Sequence, residues 1–379
     1  MRTKTSPHHG MHANHGAHSA PYILAESVII TLIEHEHCTI GFELMNERQE
    51  VKDSNLKILD RKLSIAPMMD YTDRFQRYFM RLITHHALLY TEMITTGALL
   101  HGNAARFLEH DDSEHPVAIQ LGGSDPGDLA AAALIAEEAG YDEVNLNVGC
   151  PSDRVQNGKI GACLLGHPQL VAECVRSMKS AVSIPVTVKT RIGIDNNDSY
   201  EALCNFVATQ IGAGCDHFII HARKAWLQGL SPKENRNIPP LRYDVVKQLK
   251  QNFPAMGFSI NGGVKTLTEA EALLQDLDGV MIGREAYHNP WILAEADHRL
   301  YGDTRPLASR HQVLESFLPF VELQCQKGIP LKRITRHILG LFHGCPGARA
   351  WRRHLSEHAH NPGAGPELIQ QAAALVEVV

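Results

Sequence analysis

The chain lacks the features that mark secreted, zinc-binding and membrane-spanning proteins. Its eight cysteines include no C-x-x-C pair, which argues against a zinc knuckle or a disulfide framework and favours reduced thiols in a cytoplasmic protein. The apolar stretch from Tyr22 to Ile33 is interrupted by Glu26 and is shorter than the roughly 20 residues that span a bilayer. We therefore expect no membrane anchor.

An excess of positive charge is also lacking. The formal charge is −6, so any nucleic-acid binding requires a local basic face. The length of 379 residues leaves room for one α/β barrel of roughly 250 residues and a smaller domain. We predict a poorly structured His-rich extension over residues 1–60, a barrel domain over 61–305 and a helical domain over 306–379. The irregularly spaced histidines of the extension define no coordination geometry, so no metal site is predicted.

Short β-type runs alternate with amphipathic stretches from residue 63 to residue 283, which is the pattern of βαβ units. The predicted strands are Leu63–Met69, Ala87–Glu92, Pro116–Leu121, Glu143–Val148, Pro185–Lys189, His217–His221, Gly257–Asn261 and Gly279–Gly283. A helix is predicted from Pro126 to Gly140, capped by Ser124 or Asp125. Eight such units indicate a TIM (β/α)8 barrel followed by helices. The rival, a doubly wound open sheet, is disfavoured because no G-x-G-x-x-G follows the first strand.

Several of these strands end in, or are followed by, residues that should meet at one rim of the barrel. They are Pro67, Met68 and Met69, Gln120, Lys189 and Arg191, His221 and Arg223, and Asn261. Gly262 and Gly263 follow the seventh strand, and Gly283 with Arg284 follows the eighth. Glycine turns at helix starts are typical of phosphate sites in barrels, although each could be an ordinary turn.

The cations of this rim beside Met68 and Met69 suit an electron-rich planar cofactor, and FMN fits better than a dinucleotide. We expect Lys189 near the pyrimidine edge of the isoalloxazine, where it would stabilise negative charge, while Gln120 and Asn261 supply amide hydrogen bonds. The alternative for Lys189 is a salt-bridged lysine of the barrel.

Cys150 follows the fourth strand in Gly149-Cys150-Pro151. A thiol after a barrel strand is a candidate acid or nucleophile, although free cysteine is more often a small buried hydrophobe. Cys163 is a rival thiol, but its apolar neighbours predict a packed helix start.

An ordered series of segments resembles the tRNA-dihydrouridine synthases, from about Leu63 to about His360. These are Ala66-Pro-Met-Met-Asp-Tyr-Thr-Asp73, Tyr90-Thr-Glu-Met93, Gln120-Leu-Gly-Gly123, Asn145-Leu-Asn-Val-Gly-Cys-Pro-Ser152, Val188-Lys-Thr-Arg191, Ile220-His-Ala-Arg223, Asn261-Gly-Gly263 and Val280-Met-Ile-Gly-Arg284. The stretches 223–236 and 347–353 resemble the A subfamily of that family.

The resemblance implies a TIM barrel that binds FMN, uses NADPH and reduces D-loop uridines at tRNA positions 20 and 20a. Reduction of the uracil C5–C6 double bond needs a hydride at C6 and a proton at C5, and Cys150 would donate that proton as a neutral thiol. The uridine must leave its stack to enter the barrel mouth, where Tyr71, Asn147 and Arg223 are candidate contacts. The resemblance assigns the tRNA contacts to Asn147, Lys233, Arg236, Arg349 and Arg352.

The residues between Lys327 and Leu355 include seven cations and no Asp or Glu, which predicts a basic face for RNA phosphates. These cations are Lys327, Lys332, Arg333, Arg336, Arg349, Arg352 and Arg353. The alternative is a solvated helix surface.

Two other functions remain open at this point. An FMN barrel acting on a free pyrimidine would keep the cofactor residues but have no use for the basic face. A tRNA-binding protein without catalysis would keep Arg349 and Arg352 but would not need Cys150. No obligate protein partner is predicted.

Overall fold

Eight parallel strands form the centre of the computed structural model, which describes residues 59–152 and 158–377. The strands are β1 Leu63–Ile65, β2 Leu89–Thr95, β3 Val117–Gly122, β4 Glu143–Val148, β5 Val186–Arg191, β6 His217–His221, β7 Gly257–Asn261 and β8 Gly279–Ile282. Neighbours pair in the order β1-β8-β7-β6-β5-β4-β3-β2. The sheet closes because the Ile65 N–H donates to the Leu88 carbonyl at 2.9 Å and the Leu88 N–H donates to the Leu63 carbonyl at 3.0 Å.

Helices surround the barrel and make up the C-terminal region. They are α1 Arg74–Arg81, α2 Thr96–His101, α3 Ala104–Leu108, α4 Pro126–Glu138, α5 Pro168–Ala181, α6 Tyr200–Gly212, α7 Tyr243–Asn252, α8 Leu267–Leu273, α9 Arg284–His288, α10 Ala296–Tyr301, α11 Arg310–Gln326, α12 Leu331–Thr335, α13 Ala348–His358 and α14 Glu367–Ala373. Among the described residues no strand follows β8, so the predicted (β/α)8 barrel with a helical C-terminal region is confirmed. None of the described helices combines the length and the apolar composition needed to cross a bilayer.

The strand predictions differ from the structure mainly at the first two strands. β1 ends at Ile65 instead of Met69 because Pro67 has no N–H for a sheet hydrogen bond. β2 runs from Leu89 to Thr95, beyond the predicted end, because a register shift after Tyr90 lets the pairing with β3 continue. Helix α4 is capped by Asp125, whose carboxylate accepts from the Asp128 N–H at 2.9 Å.

Aromatic packing joins the helices after residue 305 to the barrel. Tyr78 of α1 stacks on Phe320 of α11 with ring centroids 3.8 Å apart, and Phe79 lies 5.4 Å from Phe317. The described residues belong to one compact unit. The boundary between residues 305 and 306 stays a prediction, and the extension over residues 1–58 lies outside the described residues.

We expect Phe317→Ala to destabilise the protein. Phe317 is 0% exposed, and the truncation of a buried Phe costs about 3–5 kcal/mol because it removes apolar contacts and leaves a cavity. Leu323→Ala is the matched control on the same helix, since Leu323 is 47% exposed and its truncation should change the free energy of unfolding by less than about 0.5 kcal/mol. Urea unfolding measures both, and equal losses would show that this helix face does not hold the two regions together.

Candidate active site

The parallel direction of all eight strands places their carboxyl ends at one rim. The rim and the strand ends behind it carry the residues predicted for a cofactor and for catalysis. These are Pro67, Met68 and Met69 after β1, Gln120 in β3, Cys150 after β4, Lys189 in β5, His221 in β6, Asn261 with Gly262 and Gly263 at the end of β7, and Gly283 with Arg284 after β8.

The Cys150 loop is held on both sides by hydrogen bonds. The side-chain Oδ1 of Asn147 accepts from the backbone N–H groups of Gly149 at 3.1 Å and Cys150 at 3.0 Å. Arg191 Nε donates to the Gly149 carbonyl at 2.8 Å. The thiol of Cys150 is half-buried and lies 3.6 Å from Ser152 Oγ. Cys150 is therefore not the fully buried core residue that the alternative interpretation required.

Cys163 has different surroundings. Its thiol donates to the Ile160 carbonyl at 3.3 Å, within the turn that starts the 3-10 helix Gly161–Gly166. Burial raises the pKa of this thiol. Cys163 lies at a helix start, as predicted, and is half-buried like Cys150. That it has no catalytic role stays a prediction.

Lys189 is a cation without a carboxylate partner. Its Nζ donates to Asn261 Oδ1 at 3.1 Å, and no carboxylate oxygen of the described residues lies within 4 Å of it. Within residues 59–152 and 158–377, Lys189 therefore forms no salt bridge, which disfavours the salt-bridged interpretation. Removal of the ammonium group from water, reinforced by Arg191, lowers the pKa of Lys189 to about 7. An electron-rich ligand at this position would compensate the charge.

His221 has one ring nitrogen without a partner among the described residues. Its Nδ1 is buried and makes no hydrogen bond there. Burial, followed by the charges of Arg191 and Lys189, lowers the pKa of His221 well below its ordinary value, so the ring is neutral at pH 7. A buried nitrogen without a partner is costly, and a ligand that hydrogen-bonds to it would remove the penalty.

The two glycine turns differ in whether the backbone N–H groups at the following helix start are free to bind an anion. Gly262 and Gly263 have φ values of +119° and +79°, which glycine adopts without strain. Thr266 and Glu269 form a capping box at α8, so that helix start already has its hydrogen-bond acceptors. Gly283 begins α9 with no side-chain cap, which leaves its backbone N–H groups available to an anion.

A second group of cations lies on the loop between β6 and α7 and beside α9. Arg284 Nη2 donates to Asn237 Oδ1 at 2.9 Å, and Arg223 donates to the Pro239 carbonyl. Arg284 Nη2 also donates to the Arg236 backbone carbonyl at 3.4 Å. Burial, followed by the charge of Arg284, lowers the pKa of Arg236. Lys233 is exposed.

The predicted basic face is smaller in the structure than in the sequence. Arg336 pairs with Asp73 at 2.9 Å, and Arg353 pairs with Glu357 at 3.1 Å. Folding thus brings carboxylates to a segment that has none between residues 327 and 355. Arg349 and Arg352 are exposed on α13, and neither forms an ion pair with another described residue.

Some side chains of the rim escaped the sequence analysis. Tyr287 stacks on Tyr71 with centroids 4.1 Å apart, and nothing in the sequence links these two positions. The side-chain amide of Asn235 bonds both the backbone N–H and the backbone carbonyl of Trp226. The backbone carbonyl of Asn235 accepts from Arg191 Nη1 at 3.1 Å. Glu92 is a third such residue, and the signal that the sequence offers for it is a carboxylate within a strand. Burial raises the pKa of Glu92.

Three side chains that could bind a metal ion lie close together, and their carboxylates have partners within the protein. Ligand atoms of His86, Asp297 and Asp303 all lie within 4.8 Å of one another. Arg305 forms an ion pair with Asp303, and Thr84 Oγ1 donates to Asp297 at 2.6 Å. These partners satisfy the carboxylates without an ion.

Comparison with known proteins gives one consistent result. The sequence profile of the dihydrouridine synthase family matches residues 64–377. A Shewanella oneidensis protein named tRNA-dihydrouridine(20/20a) synthase is 60% identical over 330 residues, which cover 87% of this chain and 98% of the relative. Relatives of the same name from Vibrio cholerae and Escherichia coli K12 are each 59% identical over 316 residues, covering 83% of this chain and 96% and 91% of those proteins.

The fold and the rim define a barrel enzyme with a half-buried thiol at the carboxyl ends of its strands. A lysine on the same rim has an amide partner and, among the described residues, no carboxylate partner. The chain belongs to the dihydrouridine synthase family, whose members are flavin-dependent oxidoreductases.

Lys189→Met should stabilise the ligand-free protein in a pH-dependent way. The pKa of Lys189 is about 7 in the folded protein and about 10.5 for a free lysine, so the unfolded chain binds more protons between these values. Wild-type stability attributable to Lys189 therefore rises with pH across this window. We expect the gain from Lys189→Met to be largest at about pH 6 and smaller at about pH 9, measured by urea unfolding. If the difference in unfolding free energy between Lys189→Met and wild type does not change with pH, the lowered pKa of Lys189 is contradicted.

Proposed function

We propose that this protein is a cytoplasmic tRNA-dihydrouridine synthase that reduces the C5–C6 double bond of D-loop uridines at positions 20 and 20a. The observation that carries the proposal is the half-buried thiol of Cys150, on a loop whose backbone is held by Asn147 and Arg191. On the same rim, Lys189 has no carboxylate partner among the described residues. The names of the relatives support the substrate and its positions.

The residues of the rim fit FMN. Lys189, Asn261 and His221 offer a cation, an amide and an unpartnered ring nitrogen to the pyrimidine edge of the isoalloxazine. Gly262, Gly263, Gly283 and Arg284 offer backbone N–H groups and a guanidinium to the phosphate. Pro67, Met68, Met69 and Gln120 would contact the rest of the cofactor. When FMN is bound at this rim and has been reduced by NADPH, it would supply the hydride that the uracil C6 receives.

Cys150 holds the proton that C5 receives. The proposed role needs a thiol that keeps its proton until the base is in place, because a thiolate has none to give. Hydrogen bonds from the N–H groups of Gly149 and Cys150 to Asn147 fix the loop backbone, so the loop that carries the sulfur is preorganised.

The tRNA is held at two places in this proposal. The extruded uridine lies beside Tyr71, Asn147 and Arg223, and the second Nδ2 hydrogen of Asn147 is available because only one bonds Gln120. Lys233, Arg236, Arg349 and Arg352 bind the RNA backbone. Neither contact requires a second protein, and we propose no obligate protein partner.

Cys150→Ser should abolish most of the reaction. The hydroxyl is a far weaker acid than the thiol, so reduction of uridine in unmodified tRNA should fall by about a hundredfold or more. The measurement incubates the purified protein with NADPH and maps the two-hydrogen mass gain along the RNA by mass spectrometry. Cys163→Ser is the matched control and should retain activity. Equal loss in both variants would remove Cys150 from its proposed role, and no gain in wild type would overturn the proposed function.

The double substitution Arg349→Ala with Arg352→Ala should weaken tRNA binding and reduce its dependence on salt. Each lost phosphate contact lowers the slope of log K against log salt by about 1. Arg353→Ala is the control on the same helix, because Arg353 is paired with Glu357. Filter binding at several salt concentrations measures the slopes. An unchanged slope in the double variant would place the RNA on another surface.

A further inference from the structure

Glu143 is a carboxylate inside the barrel. It is the first residue of β4 and is 0% exposed. Arg61 donates to its Oε2 through Nε at 2.8 Å and Nη2 at 2.6 Å. The hydroxyls of Thr187 and Tyr90 both donate to its Oε1, each at 2.6 Å. The carboxylate therefore accepts from four donor groups and exposes no surface to the solvent.

A continuous series of hydrogen bonds joins this carboxylate to the Cys150 loop. Asn145 Nδ2 donates to Thr187 Oγ1 at 2.9 Å, Gln120 Nε2 donates to Asn145 Oδ1 at 2.8 Å, and Asn147 Nδ2 donates to Gln120 Oε1 at 2.8 Å. Asn147 Oδ1 then accepts from the N–H groups of Gly149 and Cys150. We call Glu143, Thr187, Asn145, Gln120 and Asn147 the buried polar line, and none of them is more than 7% exposed.

Every donor in the buried polar line points toward Glu143. A carboxylate paired with Arg61 only accepts, so Thr187 donates to it and offers its oxygen to Asn145. The amides of Asn145, Gln120 and Asn147 then have one orientation that leaves no donor facing a donor. In the opposite orientation, the NH2 group of Asn147 would face the N–H groups of Gly149 and Cys150. The charge at one end thus fixes the direction of the amide at the other.

We propose that Glu143 and Thr187 are positioning residues for Cys150, acting through the buried polar line. This inference rests on the proposed function of Cys150. The interior of such barrels is generally packed with branched apolar side chains, which would fill β3, β4 and β5 without the desolvation of a carboxylate. The polar series instead delivers one defined amide oxygen to the backbone of the loop that carries the thiol.

The chain offers a matched pair of variants. Thr187→Val and Tyr90→Phe each remove one hydroxyl that donates to Glu143 Oε1 at 2.6 Å, and both residues are at most 1% exposed. Thr187 lies within the buried polar line, whereas Tyr90 contacts only Glu143 and Thr187 at the end of the line and no amide of it. A general loss of stability affects both variants, but only Thr187→Val interrupts the connection to Asn147. Thr187→Ser keeps the hydroxyl and should restore the wild-type behaviour.

Two measurements on the holoenzyme decide the matter. The first is single-turnover reduction of unmodified tRNA, which should fall by about tenfold to a hundredfold in Thr187→Val because the thiol is displaced. The second is the rate of Cys150 alkylation by iodoacetamide, mapped by peptide mass spectrometry, which should change by about threefold or more while that of Cys163 does not. Tyr90→Phe and Thr187→Ser should stay within about twofold of wild type in both.

The outcomes separate the inference from the proposed function. If wild type fails to reduce tRNA, the proposed function is wrong, and the alkylation rates still test the positioning. If Thr187→Val matches Tyr90→Phe in both measurements, the buried polar line is structural and the inference is overturned. If Thr187→Val does not fold, Glu143→Gln replaces it, since the neutral amide keeps the shape but no longer forces Thr187 to donate. Wild-type values in that variant overturn the inference equally.

Discussion

Closure of the parallel sheet between β1 and the residues before β2 is the constraint on which the rest of the structure depends. A closed sheet has no edge, so each strand has a neighbour on both sides and all carboxyl ends meet at one rim. Residues that are distant in the chain then become neighbours, as Lys189 and Asn261 do across 72 positions. Closure also makes an interior that water cannot enter, and only there does a carboxylate such as Glu143 control the direction of a series of amides.

The rim concentrates polar groups that the protein alone does not satisfy. Among the residues that the structure describes, Lys189 has an amide for a partner instead of a carboxylate, His221 keeps an unbonded Nδ1, and α9 begins without a side-chain cap. Each of these features lowers the stability of the isolated protein. Their presence on one rim is the pattern of a binding site, because a ligand recovers the lost interactions.

In the helices after residue 305, folding pairs some of the cations with carboxylates from elsewhere in the chain. The segment from Lys327 to Leu355 has cations without acids in sequence, but Asp73 at the start of α1 pairs with Arg336 and also accepts from His337. Its pKa is lowered mainly by these hydrogen bonds and the charge of His337, against the effect of burial. Part of the basic segment therefore joins the helices to the barrel, and Arg349 and Arg352 remain exposed for a partner.

The sequence by itself determined the architecture and most of the candidate site. Strand periodicity and the alternation with helices predicted eight parallel strands, and β4, β6 and β7 begin and end at the predicted residues, because their burial pattern and their turn residues are local properties. Position at or just after the end of a predicted strand was enough to predict Cys150, Lys189 and the glycine turns as candidate site residues. Only the tertiary structure decided which hydrogen bonds those residues make. The hydrogen bond from Lys189 to Asn261, the stacking of Tyr71 on Tyr287 and the line from Glu143 to Asn147 all join different strands or loops. Distances between such elements are set by barrel closure.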